Sequence, residues 1–169
     1  MLALGACASL HGARLEQLPL PAASQLPCCW QAEEKVEISV PGRDLLLTAA
    51  VAVQEDTLTV VVFDPIGRRM ATLIHTEGEP QVLAPPDWPP ELSRQLLIGL
   101  YLHHLNPDQW VFSEEGWTIA SDPGLRTLSY HQRQLVKLQY SAHDLAERTL
   151  LFNGHSLSVR LTTLSRADL

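Results

Sequence analysis

The sequence predicts a mainly β, α+β fold: an antiparallel sheet with one long apolar helix against one face. Three observations carry that prediction. Short runs of alternating apolar residues, bounded by turn signals, occupy most of residues 33–83 and 117–163. The period changes to a helical one only between Pro90 and Leu105. The resulting order, strands then one helix then strands, favours antiparallel pairing with the helix on one side. At 169 residues, the chain has the length of about one domain, and no internal repeat is visible.

The elements follow in order. Val36, Ile38 and Val40 alternate with Lys35, Glu37 and Ser39 in a half-buried strand that ends at Pro41-Gly42. Arg43 to Gln54 contains LLLTAAVAVQ, apolar on both faces, and turns at Glu55-Asp56. Thr57 to Phe63 sets Leu58, Val60 and Val62 on one side. Asp64-Pro65-Ile66-Gly67 is the next turn: Pro65 pre-sets φ, and Gly67 accepts the positive φ that closes a type I turn with a bulge. Ile66 stands at its tip, a place usually given to a polar residue. Arg69 to Thr76 follows, then a turn at Glu77-Gly78 and a short strand at Gln81 to Leu83 that APPDWPP stops.

Pro90 suits the first helical position, and Glu91 suits the positive end of the helix dipole. ELSRQLLIGLYLHHL is apolar nearly all round, so it must be covered on several sides. Asn106-Pro107 ends it. Further strands are expected at Trp117–Ala120, Leu125–Tyr130, Gln134–Tyr140, Thr149–Phe152 and Ser156–Thr163, with Asn153-Gly154 as a hairpin signal between the last two.

Residues 1–31 have a different character. Leu4-Gly5-Ala6-Cys7 has the form of a bacterial lipobox, a branched apolar residue and two small ones before a cysteine that would carry lipid. Only six residues precede Cys7, fewer than a basic n-region and an apolar h-region need. Either a start lies upstream or the likeness is accidental; the reading adopted is residues 1–7 as a truncated lipoprotein signal. Residues 8–31, with Pro19, Pro21 and Pro27 and no clean period, read as a tether, and residues 32–169 as a single domain. Cys28 and Cys29 read as two thiols packed near Trp30.

Composition limits the partners. A net charge of −7 leaves no general footprint for nucleic acid. No run reaches the ~20 apolar residues of a membrane-spanning helix. No catalytic constellation is evident: there is no G-x-S-x-G elbow and no phosphate loop, and Glu33-Glu34 and Glu114-Glu115 read as solvated pairs. Seven histidines show no ligand spacing, and His103 and His104 point about 100° apart on a helix. No catalytic residue, metal or cofactor is therefore expected. What stands out is surplus apolar surface, which fills a core or lines a cavity able to take an acyl chain.

The run LTVVVFDPIGRRMATL, followed by the helix Leu92 to Leu105 and the hairpin Gln134 to Thr163, resembles LolB, the outer-membrane lipoprotein receptor of Gram-negative bacteria. More closely, the chain resembles an uncharacterised outer-membrane lipoprotein family with a LolA/LolB-like fold. That resemblance implies a curved antiparallel sheet forming an incomplete β-barrel, lidded by the helix over an apolar cavity. Cavity and lid candidates are Val60, Val62, Trp88, Leu96, Leu100, Trp117, Leu138 and Val159. It also implies lipidation at Cys7 and, with Ala8 rather than aspartate next, a place on the periplasmic face of the outer membrane. Pro65-Ile66-Gly67 aligns with a Pro-Leu-Gly turn whose protruding leucine works at the membrane in LolB. The expected function is non-enzymatic: binding the acyl chain of a lipoprotein, or another lipid, and aiding its transfer or insertion, with a periplasmic carrier as a further partner. The alternatives are a structural or assembly lipoprotein acting through protein contacts and an accessory to export of a lipid-like product.

Overall fold

Every second residue from Trp30 to Ile38 is buried, and that alternation makes the first strand longer than its apolar residues alone suggest. The computed structural model describes residues 15–144, 146–153 and 157–169. In them β1 (Trp30–Val40), β2 (Arg43–Gln54), β3 (Thr57–Phe63), β4 (Arg69–His75) and the short β5 (Gln81–Leu83) form one meander. Helix α1 (Pro90–His104) follows, then a second meander of β6 (Trp117–Asp122), β7 (Leu125–Tyr130), β8 (Arg133–Tyr140), β9 (Glu147–Phe152) and β10 (Leu157–Asp168). All ten strands belong to one antiparallel sheet in the order β5-β4-β3-β2-β1-β10-β9-β8-β7-β6.

The two meanders meet where β1 pairs β10, from Trp30 opposite Asp168 to Ser39 opposite Ser158. The first and last strands thus form the centre of the sheet. β5 and β6 are its two edges, and they do not pair, so the sheet stays open rather than closing into a barrel. Register shifts at Glu33/Glu34 in β1, Val62/Phe63 in β3 and Leu128/Ser129 in β7 mark bulges, and bulges increase local twist.

The α1 connection runs from one edge of the sheet to the other, and its apolar surface decides where it lies. Ten of its fifteen residues are buried, with Leu92 and Leu96 to Leu102 among them. Gly99 is a point of close approach, because a Cβ there would run into the Leu150 side chain of β9. Pro90 and Glu91 start the helix, which has no side-chain cap at Pro89. At the other end one nitrogen of Arg126, on β7, donates to the carbonyls of Leu102, His103 and Leu105 at 2.6, 2.9 and 2.7 Å. A cation at the negative end of the dipole and three satisfied carbonyls explain why the helix stops there.

The stretch read as a tether contributes to the core from Leu15 onward. Leu15, Leu18, Ala23 and Leu26 are buried in the same apolar cluster as the sheet and helix. Arg94 of α1 fastens this stretch, donating to the carbonyls of Leu15 and Leu18 while pairing with Glu79. Trp110 Nε1 donates to the Pro19 carbonyl at 3.1 Å. The two cysteines differ from expectation: Cys28 and Cys29 are joined as a vicinal disulfide across a cis peptide bond.

Candidate functional site

The β3–β4 turn is built around one carboxylate. Asp64 Oδ1 accepts from the backbone N–H groups of Ile66 and Arg68 at 3.1 and 2.9 Å, and Oδ2 accepts from Arg68 Nε at 3.0 Å. Backbone bonds Asp64 N to Arg68 O and Gly67 N to Asp64 O close the loop, and Gly67 takes φ +80°. Partial burial alone would raise the Asp64 carboxyl, yet the Arg68 and Ile66 donors together hold it below the usual carboxylate range. The turn is therefore locally fixed, and it leaves Ile66 84% exposed. Pro65 and Gly67 flank it as the turn chemistry requires. Arg68 is committed to Asp64 rather than extended beside Ile66.

The cavity and lid candidates sit together. Val60 and Val62 on β3, Leu96 and Leu100 on α1, Leu138 on β8 and Val159 on β10 are all buried in one continuous apolar cluster. Trp88 joins them just before α1, its Nε1 donating to Ser93 Oγ at 2.8 Å. Trp117, at the start of β6, stacks on Phe112 and tilts against Tyr130. α1 thus fills the space over the sheet with its own apolar side chains. Cys7 lies outside the described residues. Among the described residues no three His, Cys, Asp or Glu side chains group as metal ligands do, and no helix is long and apolar enough to cross a membrane.

A second feature escaped the sequence reading. Glu34, expected to be solvated beside Glu33, is only 3% exposed and pairs with Arg148, 1% exposed, at 2.9 Å. Thr163 Oγ1 bridges them, within 3.0 Å of Arg148 Nη1 and 3.1 Å of Glu34 Oε1. The pair sits where β10 bulges against Glu33 and Glu34, so it links β1, β9 and β10 at the join of the two meanders. The alternation held the signal: Glu34 shares the phase of Trp30, Ala32, Val36 and Ile38, all inward.

The C-terminal end of α1 lies near this pair, close enough for the charge of Arg148 to act on both of its histidines. His103 Nδ1 hydrogen-bonds to Tyr140 Oη at 2.8 Å, and the His104 ring lies 4.5 Å from that of Trp30. Burial first, then the positive charges of Arg148, Arg126 and Arg166, with the neighbouring His104 for His103, press His103 down to about 2 and His104 to about 3. Both rings are neutral at any ordinary pH. A separate buried histidine, His75 on β4, meets Tyr101 Oη at 2.6 Å and the Gly78 carbonyl at 3.1 Å. Burial lowers His75 and raises Tyr101, so both are neutral partners in the core.

On the outer face, β1, β2, β3 and β10 enclose a groove of about 470 Å³. Ala50, Ala52, Val61 and Phe63 line it, with Gln31, Glu33 and Ser165 among its polar residues.

The profile of the family described as "Protein of unknown function (DUF3261)" matches residues 31–165. The chain belongs to that family. The DUF3261 match runs from β1 through most of β10, so it takes in the open sheet, α1, the Ile66 turn and the Glu34–Arg148 pair alike. A search of curated proteins finds no match.

Proposed function

We propose that this DUF3261 protein is a non-enzymatic lipoprotein of LolB-like fold that handles acyl cargo at the periplasmic face of the outer membrane. Cys7 carries the lipid in this reading, and the open sheet with α1 corresponds to an incomplete barrel and its lid. Cargo enters by displacing part of α1, whose apolar surface then exchanges one apolar contact for another. Such an exchange is cheap, because the hydrophobic term depends on area rather than on the identity of the partner.

The observation that carries this reading is the β3–β4 turn. An isoleucine held outward on a fixed loop gains about 1.5–3 kcal/mol on entering hydrocarbon, too little to anchor a chain but enough to orient a tethered one. Flotation with phosphatidylethanolamine–phosphatidylglycerol vesicles tests it. Wild-type protein carrying a lipid anchor should float and insert its cargo, and Ile66→Asp should float through the anchor but lose most insertion. Equal insertion by both proteins removes Ile66 from the mechanism.

The outer groove favours a second reading, an assembly lipoprotein that docks a protein partner on β1–β3. In that case substitutions of Val61 or Ala50 weaken function while Ile66→Asp leaves it intact.

A further inference from the structure

The buried polar cluster under the end of α1 is incompletely bonded. Arg148 Nε, Trp30 Nε1 and His104 Nε2 are buried without hydrogen bonds, as is the second carboxylate oxygen of Glu34. Two of these are donors outright, and neutral His104 supplies a third when its proton sits on Nε2. Leaving buried donors unpaired is costly, and a half-satisfied ionic network contributes less stability than a plain apolar core.

Charge points the same way. His104 feels the positive charges of Arg148, Arg166 and Arg126. Glu34 is bound to Arg148 through one oxygen. Arg166 is exposed on β10, and its guanidinium lies 4.5 Å above the Trp30 ring, on the solvent side of the cluster. The site is rich in unpaired donors, carries the Arg166 guanidinium beside the mutually neutralised Glu34–Arg148 pair, and is continuous with the apolar core through Trp30.

We propose that this cluster is the headgroup subsite for an acyl ligand bearing an acid group, a carboxylate or a phosphate, with Trp30, His104 and Arg148 donating to its oxygens and Arg166 closing over it. The inference rests on the acyl-cargo reading and adds the polar end of the ligand. A carboxylate offers about four acceptor sites, enough for all three unpaired donors. Charge-assisted bonds to it are roughly twice as strong as neutral ones. The protonated form of the acid, or a phosphate monoanion, would also donate to Glu34.

Calorimetric titration of the full chain with oleate, oleyl phosphate and oleyl alcohol, each below its micelle concentration, tests the subsite. Oleate or oleyl phosphate should bind at least about tenfold tighter than the alcohol. The tighter of the two identifies the acid. Arg166→Gln, at an exposed position, and Trp30→Phe, which keeps the ring, should each weaken the acid about tenfold and leave the alcohol unchanged. Equal binding of acids and alcohol, or variants that weaken all three alike, overturns the headgroup subsite while the acyl-cargo reading survives. No binding of any of the three overturns both.

Discussion

The β3–β4 turn and the end of α1 break the usual partition of residues in opposite directions. At the turn a large apolar side chain stands in water, on a loop tied together by bonds to one carboxylate. At the helix end two charged side chains are buried at the seam of the sheet, with several bonds unmade. Single exposed apolar residues are ordinary, whereas buried unpaired polar groups are rare and expensive. The comparison separates two kinds of departure: one leaves folding untouched and is available to a surface partner, and the other strains folding and demands compensation from inside.

Breaking the ion pair should give the largest effect. Arg148→Ala or Glu34→Ala leaves a buried charge alone and should lower stability by about 3–5 kcal/mol in urea unfolding. Replacing both, as Glu34→Leu with Arg148→Met, should recover most of that loss, because well-packed apolar groups often match a buried pair. A double variant as unstable as the singles would mean that the seam needs the charges themselves.

Acid comes next. His103 and His104 sit at about 2 and about 3 in the fold, against about 6.5 in the unfolded chain. Above pH 6.5 neither state binds these protons, and their contribution to stability is fully present. Below it the unfolded chain takes up protons that the fold refuses, so stability falls as the pH drops toward 3. The slope is up to about 1.4 kcal/mol per pH unit for each histidine. His104→Leu should flatten the acid limb of a melting-temperature profile; an unchanged limb would show that His104 is not held neutral.

A substitution at the helix contact sharpens the same contrast at lower cost. Gly99→Val forces a side chain against Leu150 and should cost about 1–3 kcal/mol. Leu150→Ala in the same chain should relieve part of it. Ile66→Ser stands last: at so exposed a position the change in stability should stay within about 0.5 kcal/mol, measured alongside the others. A larger loss would mean that Ile66 packs against its own sheet.

How far each region was legible follows from the range of its interactions. The turn could be read directly, since Asp64, Pro65 and Gly67 act within four residues. Most strand and helix limits were close because alternation and the flanking prolines are local signals, but β1 starts earlier, at Trp30, and β10 runs on to Asp168. The pairing of β1 with β10 was out of reach, as nothing local in Trp30–Val40 names a partner more than a hundred residues away. Arg148 was hidden for the same reason, and Glu34 was passed over because its neighbour Glu33 suggested a solvated pair. The open edges at β5 and β6 show that the sheet does not close, while the likeness to LolB belongs to the proposal.

In the proposed function, acyl cargo takes the space that α1 now fills. Protein purified from membranes in mild detergent, then extracted and examined by mass spectrometry, should release acyl species in near-stoichiometric amount, and the delipidated protein should take up a fluorescent fatty acid. A preparation that carries no acyl species and takes up no fatty acid would contradict it.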